Sequence, residues 1–167
     1  YPTATTDQFG KVLGTAGEAY RLALAFGGRD GNGSLHNDVQ QLYAMRNTPV
    51  VTSEFTLVSQ SPQAREGHSI VFQPRGDPLS DRMLLFGGRD SSASGTSFYD
   101  DVWELKRNDN RYEWTWRRMA PDTTTNGRPS ARWGHSAVFV PQDTSMVVYG
   151  GREQPGSVTN DVWKLFL

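Results

Sequence analysis

The 167-residue sequence contains no cysteine. That excludes disulfide scaffolds, thiolate-ligated zinc, iron–sulfur clusters and thiol nucleophiles, and it leaves the compartment open. Excess charge is nearly absent too: 17 Lys and Arg stand against 18 Asp and Glu, a net charge of −1. Such a chain has no whole-molecule drive toward nucleic acid or an anionic membrane, so neither is expected as a partner. No apolar run approaches the roughly 18–20 residues of a membrane span. The N-terminal Tyr1-Pro2-Thr3-Ala4-Thr5-Thr6-Asp7 has no basic stretch leading into an apolar one, so no signal peptide is read. A cytoplasmic location is favoured on those grounds. The absence of an initiator Met points to a processed chain, an excised piece or an incomplete sequence. Helical periodicity is missing as well; nowhere does it persist for the roughly 10–12 residues a helix needs.

What is present is turn chemistry and rings. Gly and Pro number 17 and 9, below the density of low-complexity disorder, and 11% aromatics with five Trp argue for a packed core. The rings fall in a repeat. An apolar run ending in Gly-Gly-Arg occurs at Ala25–Arg29, Leu85–Arg89 and Val148–Arg152, the first glycines lying 60 and then 63 residues apart (27 to 87, 87 to 150). After a polar loop each is followed by a second element: Asn37-Asp38-Val39-Gln40-Gln41-Leu42, Asp100-Asp101-Val102-Trp103-Glu104-Leu105 and Asn160-Asp161-Val162-Trp163-Lys164-Leu165. A third element, Arg-x-Gly-His-Ser, occurs at Arg65–Ser69 and Arg132–Ser136. Three elements in one fixed order make a structural repeat.

Within each repeat the β-branched and aromatic runs Ser69–Phe72, Met83–Phe86, Ala137–Val140 and Met146–Tyr149 read as strands. Gly, Pro and Asp loops separate them. The Asp-Val-Trp element supplies a third strand. Glu113-Trp114-Thr115-Trp116-Arg117, alternating at period two, supplies a fourth, with Phe55-Thr56-Leu57-Val58 as its counterpart one repeat earlier.

Four strands per repeat of about 60 residues describe a propeller blade. Gly-His-Ser, a strand into Gly-Gly, Asp-Val-Trp and a spaced Trp together resemble the kelch family, over about residues 10–167. The resemblance implies an all-β fold of about three four-stranded antiparallel kelch β-propeller blades, approximately 10–58, 65–117 and 131–167. The first blade lacks Arg-x-Gly-His-Ser, its first strand being Lys11-Val12-Leu13, and the last lacks its fourth strand. Propellers close with about four to eight blades, so three imply a partial propeller. It is either part of a longer ring, half of a six-bladed ring built from two copies, or one half of a pairing with a different half-propeller.

Most repeated positions read as structural. Gly27, Gly28, Gly87, Gly88, Gly150 and Gly151 end crowded strands, where positive φ or close backbone approach is needed; no phosphate-loop pattern accompanies them. His68 and His135 recur once per blade, as packing residues do and catalytic ones do not. Trp103 and Trp163 read as core, and Asp38, Asp101 and Asp161 as turn caps. His36 reads as solvated. Arg75-Gly76-Asp77 and Asn32-Gly33-Ser34 read as ordinary turns. The arginines carry two readings. Arg29, Arg89 and Arg152 after the glycines, and Arg65 and Arg132 before Gly-His-Ser, either pair structurally with Asp30, Asp90 and Glu153 or face a partner. The kelch resemblance implies the second, since relatives that bind acidic peptides read them with arginines near this face.

Enzymatic kelch relatives do not fit. A copper–radical oxidase needs a Tyr–Cys crosslink, no Glu/Asp/His iron cluster at four-residue spacing exists, and sialidase-type Asp boxes are missing. No cofactor, metal or catalytic residue is expected, although a channel-centred sugar- or small-molecule-processing enzyme stays open as an alternative. The expected function is a non-catalytic scaffold that binds a protein through loops 29–37, 73–82, 89–99, 107–112 and 152–160, with Phe98 and Tyr99 as further contacts. A mainly structural role, as a homodimerising half-propeller, is the other alternative.

Overall fold

The computed structural model describes residues 6–7, 10–11, 13–15, 18–45, 48–52, 56–57, 60–74, 82–92, 95–107, 113–121, 127–153 and 156–167. Every regular element among them is a strand: β1 (Thr6–Asp7), β2 (Gly10–Lys11), β3 (Leu13–Thr15), β4 (Glu18–Arg29), β5 (Leu35–Met45), β6 (Thr48–Thr52), β7 (Thr56–Leu57), β8 (Ser69–Gln73), β9 (Arg82–Phe86), β10 (Arg89–Ser92), β11 (Gly95–Phe98), β12 (Val102–Arg107), β13 (Glu113–Met119), β14 (Ser136–Val140), β15 (Ser145–Arg152) and β16 (Val158–Phe166). No helix among them is long and apolar enough to cross a membrane. Three main sheets follow one another along the chain: β3-β4-β5-β6, then β8-β9-β12-β13 with β7 beyond it, then β14-β15-β16. Each repeat thus folds as an antiparallel meander, the architecture of kelch propeller blades.

Two strand assignments differ from the sequence reading. Phe55–Val58 was expected to close blade 1, yet Thr48–Thr52 pairs with β5 there. Thr56–Leu57 instead runs parallel to Glu113–Trp114 at the outer edge of blade 2. A parallel pairing needs a crossover rather than a hairpin, which no local pattern signals. The expected first strand, Lys11-Val12-Leu13, is divided. Residues 10–11 pair with 6–7 and residues 13–15 with 18–20, while Val12 lies outside the described residues. Among the described residues, no first strand of blade 1 lies beside Ala25–Phe26 on the side away from β5, where blade 2 sets Ser69–Ile70 opposite Leu85–Phe86. Segment 89–99, read as a loop, is a hairpin in which Arg89 lies opposite Phe98 and Ser92 opposite Gly95.

Packing follows the period-two alternation of strands. Leu24, Phe26 and Val39 of blade 1 bury against Met83, Leu85, Leu105, Trp114 and Trp116 of blade 2, with Ile70, Phe72 and Trp103 alongside. The opposite face of blade 2, through Val71, Leu84, Phe86 and Val102, buries against Met146, Val148 and Leu165 of blade 3, with Ala137, Phe139 and Trp163 alongside. Blade 2 is sandwiched, and fully burying each such side chain stabilises by about 1.5–3 kcal/mol.

The glycine pairs make these joints possible. Gly87 and Gly88 have φ of 64° and 99°. A Cβ on Gly87 would stand 2.7 Å from the carbonyl oxygen of Arg132 in the next blade. Gly88 N–H donates to that same oxygen at 2.8 Å, as Gly28 N–H donates to the carbonyl of Arg65 at 2.9 Å. A His ring seals each joint from the far side: His68 stands edge-on to Phe26 at 5.5 Å, and His135 to Phe86 at 5.1 Å. Burial, then the neighbouring Arg65 or Arg132 charge, pushes each imidazole down to about 4.

Candidate partner-binding edge

The Arg-x-Gly-His-Ser segment enters each blade from the preceding one, and its arginine turns inward. Arg65 has no exposed surface; its guanidinium grips both Asp101 oxygens at 2.6 and 3.0 Å, donates to the Gly87 carbonyl at 2.9 Å and to the Gln63 carbonyl at 3.0 Å, and lies 4.0 Å from the Tyr99 ring. Arg132 repeats the pattern on Asp161 at 2.6 and 3.0 Å and on the Gly150 and Ser130 carbonyls. Trp103 and Trp163 donate their indole N–H to the same two aspartates. The Asp101 carboxyl lies below its usual range: burial pushes it up, but the Arg65 bonds outweigh that. Asp161 lies far lower, chiefly through Arg132.

The partner-contact reading of Arg65 and Arg132 is therefore corrected. A bidentate fork closed on a carboxylate and sealed from water is not presented to a partner. Tyr99 is half-buried. Its ring lies against Arg65, and its backbone N–H and C=O bond to Gly88 and Arg132. Phe98 is half-buried on the hairpin opposite Arg89.

The arginines after the glycines form a different arrangement. Arg29 donates through Nε and Nη2 to Glu66 at 2.9 and 3.2 Å, and reaches the Ser91 and Gly33 carbonyls. Arg89 donates to Glu66 from the other side at 2.9 Å, and its guanidinium lies 3.6 Å from the Trp133 ring centre. Arg152 lies 5.7 Å from the same ring and is exposed; among the described residues it meets no carboxylate. One edge thus carries Arg29, Glu66, Arg89, Trp133 and Arg152 in succession, beside the β10–β11 hairpin. Three guanidinium groups line this edge, and two of them, Arg29 and Arg89, share the Glu66 carboxylate. The Arg29 hydrogen bond, aided by Arg89 and opposed by partial burial, holds the Glu66 carboxyl down at about 2.

The expected pairing with sequence neighbours does not occur. Asp30 turns back to accept the backbone N–H groups of Asn32 and Ser34 and meets His36 at 3.1 Å, while Glu153 reaches Arg132 at 3.1 Å. Adjacent residues of an extended chain point to opposite sides, so an arginine ending a strand does not face the carboxylate one residue on; Arg29 finds Glu66 across a blade boundary and Arg89 finds it within its own blade. Sequence reading missed Glu66 and Trp133. Both occupy the variable position of Arg-x-Gly-His-Ser, and each bridges to the arginine of its own blade, Glu66 to Arg89 and Trp133 to Arg152. The signal was that variability inside an otherwise fixed element.

A cleft of about 380 Å³ lies along Leu24–Phe26, His68–Ile70 and Ser136–Ala137. Its lining has no carboxylate, and its one base, His68, is a buried joint residue. Among the described residues no group of three or more His, Asp or Glu is placed to hold a metal.

Stacked antiparallel meanders, glycine-paired joints and a repeated Arg–Asp–Trp lock define a kelch-type β-propeller unit. The KLHDC2/KLHL20/DRC7 Kelch-repeats domain matches residues 15–167, and the chain belongs to this kelch-repeat family. No curated protein matches it. Kelch-repeat domains are typically non-enzymatic β-propeller modules for protein interaction.

Proposed function

We propose that this chain is a non-catalytic scaffold that binds a protein partner along the Arg29–Glu66–Arg89–Trp133–Arg152 edge, and that the partner presents a carboxylate there. The observation that carries the reading is Arg152: exposed, beside an indole face, at the end of a row whose other two arginines share one glutamate. An Arg beside an aromatic face accepts a carboxylate through paired N–H bonds while its plane stays stacked. The half-buried Phe98 and the exposed Gly95–Ser97 tip of the neighbouring hairpin supply contact area next to it. Among the described residues of this edge the one carboxylate, Glu66, is already held by two arginines. The two joint histidines are held neutral inside the blades, which disfavours the channel-enzyme alternative.

The test is fluorescence anisotropy with labelled acidic peptides, both internal and C-terminal carboxylates, against matched amide peptides. Arg152→Ala is expected to weaken the best acidic peptide by about ten- to a hundredfold, the effect of losing a charge-assisted pair. Arg29→Ala, whose fork is already closed on Glu66, is expected to weaken it far less. Equal binding of acid and amide peptides would overturn the reading.

A further inference from the structure

In both blades that carry Arg-x-Gly-His-Ser, the variable position lies between two guanidinium groups, and the two blades fill it with opposite chemistry. In blade 2 the residue is Glu66, flanked by Arg29 of blade 1 and Arg89 of its own blade. In blade 3 it is Trp133, flanked by Arg89 of blade 2 at 3.6 Å and by Arg152 of its own blade at 5.7 Å. The backbone is alike in both places, Glu66 bridging to Arg89 as Trp133 bridges to Arg152. The repeat thus builds one cationic slot at each joint, and the residue at the variable position decides what fills it.

In the first slot a carboxylate is already seated. Glu66 Oε2 accepts from Arg29 Nε at 2.9 Å. Its Oε1 accepts from Arg29 Nη2 at 3.2 Å, from Arg89 Nε at 2.9 Å and from the Ser91 hydroxyl at 3.2 Å, with Arg89 Nη2 also at 2.9 Å. Paired, charge-assisted N–H bonds to both oxygens are the contacts that a carboxylate from another molecule would make there. Among the described residues no other carboxylate lies within ion-pair distance of either arginine. The Glu66 side chain is 19% exposed, so the slot opens at the surface rather than into the core. In the second slot an indole stands in the carboxylate's place, and among the described residues Arg152 keeps its charge unmatched.

We propose that Glu66 is a built-in stand-in for a partner's carboxylate: it fills the Arg29–Arg89 slot and restricts the edge to a partner that presents one acidic group, taken by Arg152, rather than a run of them. A second acidic group arriving at Arg29 and Arg89 meets donors already committed and a like charge between them. Glu66 thereby sets the selectivity of this edge, given the acidic-partner reading on which that role rests.

Sodium acetate, titrated at constant ionic strength while the arginine Nε–H signals are followed by nuclear magnetic resonance, is the first probe. In the native chain it is expected to shift Arg152 and to leave Arg29 and Arg89 in place. In Glu66→Ala it should shift those two as well, because acetate enters the vacated slot; Glu66→Gln, which keeps the side chain's length, should give a smaller shift of the same sense. The second probe is anisotropy with acidic peptides. The loss that Arg152→Ala causes with a single-acid peptide should shrink to about threefold or less when Glu66→Ala is added, since the emptied slot then takes the carboxylate. A two-acid peptide should bind Glu66→Ala at least about fivefold better than the single-acid peptide, against less than about twofold in the native chain. Acetate that moves Arg29 and Arg89 alike in both chains or in neither, or an Arg152→Ala loss that Glu66→Ala does not relieve, would overturn the role of Glu66 and leave Arg152 as the partner contact. Acidic-peptide binding indifferent to Arg152→Ala in the native chain would overturn the reading of the edge and the role of Glu66 with it.

Discussion

Arg65 and Arg29 have the same side chain and opposite fates. Arg65 is sealed and closes on Asp101, whose side chain is 11% exposed; Arg29 lies at the surface and reaches Glu66. Removing one member of a buried pair strands the other, at a cost of about 3–5 kcal/mol, whereas an exposed pair is worth about 1 kcal/mol or less. Arg65→Ala is therefore expected to lower the unfolding free energy by about 3–5 kcal/mol in urea titration, and Arg29→Ala by about 1 kcal/mol or less. Arg65→Lys should fall between, since an ammonium keeps the charge but cannot serve Asp101 and two carbonyls with one planar fork. A loss no larger for Arg65→Ala than for Arg29→Ala would mean the pair is not what holds the segment in place.

At the scale of the element, the joints depend on backbone approach. Gly87 and Gly134 have nearly the same φ, 64° and 65°, but a Cβ on Gly87 would meet Arg132 O at 2.7 Å and His135 Cε1 at 3.0 Å, while one on Gly134 would meet nothing within 4 Å. The comparison separates backbone strain from collision. Gly134→Ala should cost about 1–2 kcal/mol for the left-handed backbone alone. Gly87→Ala should cost about 1–3 kcal/mol more, because the obstructing atom is the carbonyl that accepts from Gly88 and cannot retreat without releasing it. Equal losses in thermal or urea unfolding would remove collision from the account. The glycine pairs were legible in the sequence because only a backbone requirement explains their fixed place at a strand end. The pairing of Thr56–Leu57 with blade 2 was not. Its two residues carry no pattern that distinguishes one sheet edge from another, and register there is set by tertiary packing.

For the whole molecule, the two joint histidines make stability depend on pH. Their folded pKa of about 4 lies below the ordinary 6.5, so between those values the unfolded chain binds more protons than the folded one. Stability from these groups is fully present above about pH 6.5 and is lost as pH falls toward about 4, by up to about 3 kcal/mol per histidine. Urea midpoints between pH 8 and 4 should stay level down to about 6.5 and then decline. Replacing both with Gln should flatten that limb while lowering stability at neutral pH; a limb unchanged by the substitution would assign it elsewhere. The repeat and its family were legible because each motif recurs at near-constant spacing. The edge was only half legible. Arg29, Arg89 and Arg152 stood out in the sequence, but whether an arginine faces inward or outward depends on strand parity across a blade boundary, which placed Arg65 and Arg132 inside and brought Glu66 and Trp133 to the row.

The carbonyl and the side chain of Arg132 serve different blades: the carbonyl accepts from Gly88 behind it, and the guanidinium grips Asp161 ahead of it. Arg65 does the same between Gly28 and Asp101. The sequence repeat and the mechanical unit are therefore out of phase, since each arginine is a rivet shared by two plates. A blade exchanged between kelch chains, whether by natural recombination or by an engineer, carries its own clamp only if the cut falls upstream of that arginine. A cut placed between the arginine and its glycine pair transplants a sheet without its fastening.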